Sequence, residues 1–297
     1  MGMTAVHRLL RVALGTVLVT SGLVHPPRAA AVGSVVLVGA ADIASCGSTS
    51  DQKTASLLDG IRGTVFTAGD NAYPNGTARE FRACYAPTWG RHRGRTRPAP
   101  GNHDYHVRGA AGYFGYFGVR AGPPGRGWYA YSRGAWRIYS LNSNCDEIGG
   151  CGIGSRQQRW LAADLAAHPR KCVLAYWHHP RFSSGMHGNQ TEVQGLWQTL
   201  FRAGAEIVVN GHDHDYERFA PQDAMGRRDV ARGIREFVVG TGGAGLRGFS
   251  NVKPNSEVRQ ARSAGVLKLV LGAGFYRWHF ISAATSRSTD SGRGTCH

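Results

Sequence analysis

Asp42, Asp70, Tyr73, Asn102, His178, His212 and His214 offer oxygen and nitrogen donors close to where apolar runs give way to loops. No cysteine belongs to this set. Carboxylate, amide, phenol and imidazole together suit Mn, Fe, Zn or similar ions, and argue against an iron–sulfur cluster or a cysteine-bound structural zinc. A two-metal centre needs a carboxylate able to bridge ions about 3.5–4 Å apart. Asp70, in Gly-Asp-Asn-Ala-Tyr, is the natural bridge, with Tyr73 at the next turn position on the same side. A lone histidine among the chain's 13 is ordinarily a surface or core residue, but His212 and His214 are spaced as GHxH directly after an apolar run.

These donors need strands to position them. Ser34 to Gly39 reads as a buried strand, Ser50 to Ile61 as a helix with Ser50 at its N-cap, and Thr64 to Ala68 as a second strand. Ser155 to Ala167 is amphipathic, with Trp160, Leu161 and Leu165 on one side. Lys171 to Trp177 reads as a strand, Thr191 to Phe201 as a helix and Glu206 to Asn210 as a strand. This alternation favours an α/β fold with parallel pairing. Arg235 to Val239, Val266 to Leu271 and Phe275 to Ile281 look like neighbouring antiparallel strands. Asp42, Asp70, Asn102, His178 and His212 each follow a strand-like run, and ligand sites in open α/β sheets lie outside the carboxyl ends of the strands.

The blocks Ala41-Asp42-Ile43-Ala44, Gly69-Asp70-Asn71-Ala72-Tyr73, Gly101-Asn102-His103-Asp104, Trp177-His178-His179-Pro180 and Gly211-His212-Asp213-His214 stand in the order of the calcineurin-like metallophosphoesterases. More narrowly, the chain resembles the purple acid phosphatases. The broad superfamily usually has DxH in its first block; here Ala44 replaces that histidine, and Tyr73 supplies the tyrosine of the purple acid phosphatase GDxxY block. The resemblance runs from about Asp42 to His214 and is weaker in the C-terminal strands. It implies a two-sheet β-sandwich core of mixed strands flanked by helices, built on βαβαβ units. It also implies one metal held by Asp42, Asp70, Tyr73 and His214, and a second by Asp70, Asn102, His178 and His212. His178 and His179 compete for one ligand role, and the family pattern with Pro180 favours His178.

Two carboxylates and a phenolate, whose binding releases a proton, favour Fe(III) at the first position. The tyrosinate–iron pair would colour the protein, as the family name implies. The second position suits divalent Fe, Zn or Mn. Two cations would neutralise phosphoryl oxygens and acidify a water, whose hydroxide attacks phosphorus in line. The leaving oxygen then needs a proton or a positive neighbour. His103, next to Asn102, and His187, in Ser-Gly-Met-His-Gly, are the candidates, with Asp104 placed to orient His103. His92 and His106 read as surface residues. Gly240 to Gly243, with no helix following, reads as a turn rather than a phosphate cradle.

The first residues read as an export signal rather than as fold. His7, Arg8 and Arg11 precede an apolar run from Val12 to Val24, and Ala29 to Ala31 offer a cleavage site near Ala31. Residues 1–31 are therefore expected to leave, and residues 32–297 to form one catalytic domain in a secreted protein. No later stretch is long and apolar enough to span a bilayer, so no membrane association is expected after signal removal. The 6 cysteines agree with an oxidising compartment, where disulfides are the default. They allow about fifteen pairings. One of these closes a short loop between Cys145 and Cys151, braces the ligand loops through Cys46 and Cys84, and leaves Cys172 with Cys296.

A formal charge of +16 allows polyanion binding without requiring it. Arg91, Arg93, Arg95 and Arg97 form the densest basic patch, and their place before Asn102 tilts the reading toward phosphate collection. The function expected is a secreted dinuclear phosphatase of small phosphate monoesters, with no specific nucleic-acid partner. The alternatives are a phosphodiesterase or nucleotide-cleaving enzyme and, in another class, a non-catalytic binder of polyphosphate or nucleic acid.

Overall fold

A computed structural model describes residues 1–3 and 33–297. The expected signal segment lies outside the described residues, apart from its first three. The strands in chain order are β1 (Val35–Ala40), β2 (Ala44–Ser45), β3 (Thr64–Ala68), β4 (Ala72–Tyr73), β5 (Thr96–Ala99), β6 (Tyr129–Arg133), β7 (Trp136–Ser140), β8 (Cys172–Tyr176), β9 (Ile207–Asn210), β10 (Tyr216–Phe219), β11 (Arg235–Val239), β12 (Ser256–Gln260), β13 (Gly265–Gly272), β14 (Phe275–Ser282) and β15 (Ser288–Thr295). They form a 6-stranded sheet in the order β15-β14-β13-β1-β3-β5, a 7-stranded sheet in the order β12-β10-β11-β9-β8-β7-β6, and a ribbon of β2 and β4.

Both large sheets are mixed. β1, β3 and β5 run parallel, as do β7, β8, β9 and β11, and antiparallel strands complete each sheet. Two-residue periodicity sorts the side chains. From β8, Leu174 and Tyr176 point into the core shared with Leu37, Val38 and Phe66 of the first sheet, and Ile207, Val209, Phe237 and Val239 join them. The alternate residues Val173, Ala175, Val208 and Val238 meet Leu161 of the helix Arg156–Ala167 and Leu196, Trp197 and Leu200 of the helix Gln194–Arg202. The result is two facing mixed sheets flanked by helices. Trp89, Trp136, Trp177 and Trp197 are fully buried, and each large apolar side chain so buried contributes about 1.5–3 kcal/mol.

Several local expectations need revision. The first helix is Ser50–Asp59; Thr49 occupies its N-cap, so Ser50 opens the helix rather than capping it. Ser155, by contrast, accepts a hydrogen bond from the Gln158 amide and starts its helix as a true cap. Arg235–Val239 does not neighbour the last strands. It lies in the 7-stranded sheet, parallel to β9 and antiparallel to β10, whereas β13 and β14 pair in the other sheet. The arginine patch sits at the amino end of β5, away from Asn102 at the carboxyl end. Arg91 pairs with Asp59 at 2.9 Å, and Arg95 donates to the carbonyls of Leu58, Ile61 and Gly63, finishing the first helix. That geometry argues for a structural rather than a phosphate-collecting role.

Disulfides join Cys46 to Cys84, Cys145 to Cys151 and Cys172 to Cys296. The last ties the end of β15 to β8. Among the described residues no helix is long and apolar enough to cross a membrane.

Candidate metal centre

The parallel strands of both sheets end on the same edge, and their loops bind one another there. Ala41 N donates to Val239 O at 2.9 Å, Asp42 N to Gly69 O at 3.1 Å, and Gly211 N to His178 O at 2.9 Å. At three of these strand ends the donor residue itself turns the chain. Asp42, Asp70 and His212 have φ of 59°, 51° and 71°, a left-handed conformation costing roughly 1–2 kcal/mol per residue outside glycine. Such strain persists only where the surroundings over-determine it. Here His212 N donates to Asp42 Oδ2 at 2.9 Å and His103 N donates to Asp70 Oδ1 at 2.8 Å, so each twisted residue is locked by another loop.

The glycines before these donors are sterically required. A Cβ on Gly101 would stand 2.1 Å from Asp70 Oδ1, and one on Gly211 2.7 Å from Asp42 Oδ2. Gly240, after β11, is packed the same way: its Cβ would meet Asp42 Oδ2 at 2.8 Å. The Gly240–Gly243 segment is thus a turn, and it serves by letting Asp42 through.

Two groups of donors share Asp70. In the first, the Tyr73 hydroxyl donates toward Asp42 Oδ1 at 2.6 Å and Asp70 Oδ2 at 2.9 Å, and lies 3.1 Å from His214 Nε2. His214 is aimed by its Nδ1, which bonds Gly245 O at 2.6 Å. In the second, His178 Nε2 lies 3.0 Å from Asn102 Oδ1 and 3.3 Å from Asp70 Oδ2, while Nδ1 is fixed on Ala68 O at 3.0 Å. Ligand-type atoms of Asp42, Asp70 and His178 fall within 4.8 Å of one another, as do those of His178, His179 and His212. One oxygen, Asp70 Oδ2, therefore touches both groups. The donor set fits cations on either side of it.

The electrostatics divide along the same line. Burial, with Asp42 and Asp70, holds the Tyr73 phenol well above its usual range. Burial raises Asp70, but His178 and His103 outweigh it and leave the carboxyl below its ordinary value. Burial lowers His178, yet Asp70 and Asp42 bring it up to about 9. Burial and His178 push His179 down to about 3, and they lower His212 likewise. Two carboxylates thus face a phenol that keeps its proton and two imidazoles, His178 and His214, whose affinity for protons is raised, while His179 and His212 are lowered.

The remaining sequence candidates gather around this core. His103 lies with its ring centre 4.4 Å from Tyr73, its Nδ1 on Pro74 O at 2.6 Å and its Nε2 3.9 Å from Asp70 Oδ2. Asp104 does not orient it. That carboxylate is fully buried and accepts from Gly101 N at 2.9 Å and from Asn71 Nδ2 at 2.9 Å, tying two ligand loops together. Burial and Asp70 push it up to about 7. The Pro74 carbonyl takes the orienting role instead. His106, read as surface, shares that carbonyl at 3.1 Å and packs on His103 with ring centres 4.6 Å apart. His187 stacks on His212 at 4.2 Å. His92 bonds Asp59 far from the site.

Three contributors escaped the sequence reading. Ser143, after β7, bonds His179 Nδ1 at 2.8 Å and accepts from its amide. Asp213 accepts from His187 N at 2.8 Å. Arg247 reaches His187 from the loop after β11. Only Asp213 carried a local signal, inside the GHxH block.

A model of the calcineurin-like phosphoesterase family matches residues 41–216. An uncharacterized protein of Mycobacterium tuberculosis is 32% identical over 183 residues, 49% of this chain and 35% of that protein. Probable inactive purple acid phosphatase 1 of Arabidopsis thaliana is 25% identical over 260 residues, 73% of this chain and 40% of that protein. The chain thus spans two-fifths or less of these relatives' length. Among solved structures, the purple acid phosphatase PPD1 of yellow lupin superposes with a TM-score of 0.69 at 18% identity, covering 88% of this chain and 54% of that one. GAP50, the anchor in the inner membrane complex of Plasmodium, gives 0.70 at 12% identity, covering 89% of this chain and 90% of that one. These likenesses establish the fold; the relatives' names alone do not carry an activity to this chain.

Proposed function

This chain belongs to the calcineurin-like phosphoesterase family, and we propose that it is a secreted phosphatase that hydrolyses small phosphate monoesters at two metal ions. The observation that carries this reading is Asp70 Oδ2, placed against Tyr73 on one side and His178 on the other. Asp42, Tyr73 and His214 with Asp70 would hold an Fe(III) ion; Asn102, His178 and His212 with Asp70 would hold divalent Fe, Zn or Mn. When bound, the pair supplies charge neutralisation for phosphoryl oxygens and an acidified water.

The chain's own groups do the rest. His103, with Nδ1 engaged by Pro74 O, keeps Nε2 toward the site and is positioned to carry the proton for the departing oxygen. Asp104 holds the Gly101 and Asn71 backbones, and so the placement of Asn102 beside Asp70. The three disulfides agree with an exported protein.

The test is turnover of a nitrophenyl monoester against the bis-nitrophenyl diester, with metal analysis and a visible spectrum. A monoester preference is expected, lost in Asn102→Ala and His212→Ala variants that retain their circular dichroism. Preference for the diester would reverse the substrate order, and undiminished hydrolysis in both variants would remove this centre as the site of reaction. A colourless protein holding only zinc or manganese would remove iron alone.

A further inference from the structure

The segment after the Gly240–Gly243 turn doubles back across the site. Ala244 N donates to Asp42 O at 2.9 Å, Arg247 N donates to His214 O at 2.9 Å, and Ser250 N donates to Ser184 O at 2.9 Å. Gly245 O, on the same segment, is the acceptor that aims His214. Backbone bonds to two of the proposed ligand residues therefore fix where Arg247 starts. Its side chain is exposed, and with Tyr73, His103 and His214 it lines a cavity of about 350 Å³.

The guanidinium is parked rather than paired. Among the described residues no carboxylate pairs with it; NH1 lies 2.9 Å from His187 Nε2. A guanidinium only donates, so Nε2 accepts. His187 is held from behind, its amide bonding Asp213 Oδ1 at 2.8 Å and its ring stacked on His212. The Asp213 carboxylate is fixed in turn by the Ser183 hydroxyl. Arginines elsewhere in the molecule meet acids or backbone carbonyls, as Arg95, Arg137, Arg218 and Arg235 do. Arg247 instead rests on an imidazole nitrogen at the mouth of a cavity lined by Tyr73, His103 and His214.

We propose that Arg247 binds the phosphoryl group directly and sets the preference for dianionic monoesters; the proposal rests on the phosphatase reading above. A guanidinium fork matches two phosphate oxygens at once. A monoester presents one more unesterified oxygen and one more negative charge than a diester, so an added cation favours it. His187 serves as the resting acceptor that the phosphate replaces, and its hydrogen bond leaves its Nε2 engaged until then.

The experiment uses the full metal-loaded chain and the variants Arg247→Gln and Arg247→Lys. Arg247→Gln is expected to lower kcat/KM for the nitrophenyl monoester by about 10–100-fold, and to lower the monoester-to-diester ratio by about tenfold. Calorimetric titration with inorganic phosphate should show affinity reduced about tenfold, with Arg247→Lys recovering part of it. Equal losses on both esters, or unchanged phosphate affinity, would overturn the proposal. If the unaltered protein hydrolyses neither ester, the phosphatase reading fails, while phosphate affinity still decides the role of Arg247.

Discussion

The two halves of the centre meet at one carboxylate oxygen and differ in almost everything else. The Asp42–Tyr73–His214 half is closed: hydroxyl, carboxylates and imidazole satisfy one another within 2.6–3.1 Å. Burial, together with Asp42 and Asp70, holds its phenol well above the usual range. The Asn102–His178–His212 half is built of packed imidazole rings, His178 edge to face on His212 with centres 5.1 Å apart and His179 tilted on His212 at 4.5 Å. Those rings are uncharged donors before any cation arrives, apart from His178, which Asp70 and Asp42 raise. The contrast teaches that a cation in the first half must displace the Tyr73 proton, whereas in the second it displaces the more readily lost proton of His178 and meets His212 with its affinity for protons already lowered. A highly charged ion suits the first, and a divalent ion the second.

The largest expected effect comes from the shared oxygen. Asp70→Asn removes a ligand from both halves and should lower monoester turnover at least about 1000-fold. Metal analysis should show both ions reduced; loss of one ion with the other intact would break the idea that Asp70 joins them. Tyr73→Phe sharpens the contrast further. It should abolish the visible band while sparing the divalent ion, and lower turnover by about 10–100-fold. Equal loss of both metals in that variant would show that the halves do not load separately.

The smallest effect is a control remote from both. Asp290 on β15 accepts from Arg218 Nε at 2.8 Å and from the Tyr216 hydroxyl at 2.7 Å. Burial raises its carboxyl, but the Arg218 and Tyr216 hydrogen bonds outweigh burial and leave it below the usual carboxylate value. Its contribution is therefore present above the unfolded value near 4 and lost as pH falls through the lower folded one. Asp290→Asn should cost about 1–3 kcal/mol by denaturant unfolding at pH 7. The difference from the unaltered protein should shrink below pH 4 or so. A gap that widens in acid would contradict the assignment, and turnover at 25 °C should not change.

Much of the centre was legible because its residues follow short apolar runs, and each run states its own strand. Thr64–Ala68 appears in the fold with the bounds its apolar character suggests. What local pattern does not carry is pairing. Arg235–Val239 and Phe275–Ser282 both read as strands, yet neighbours far along the chain assign them to different sheets. β15 has no apolar pattern at all. It forms because Gly292 and Gly294 let the rings of Trp278 and Tyr276 lie across it, where a Cβ would stand 2.2 and 2.3 Å from ring atoms. The arginine patch misled because charge density along a sequence does not report which end of a strand it occupies. Arg247 was invisible for a similar reason: its place is set by the His214 carbonyl, which the sequence puts more than 30 residues away.

The bond from the His212 amide to Asp42 joins residues 170 apart in the chain. No partly folded intermediate containing only one sheet can hold that contact, and closing so long a loop is slow. Turnover is consequently a late marker of folding: in refolding from denaturant it should lag the recovery of helical signal, and a chain stopped before β11 closes against Asp42 would be compact but inert.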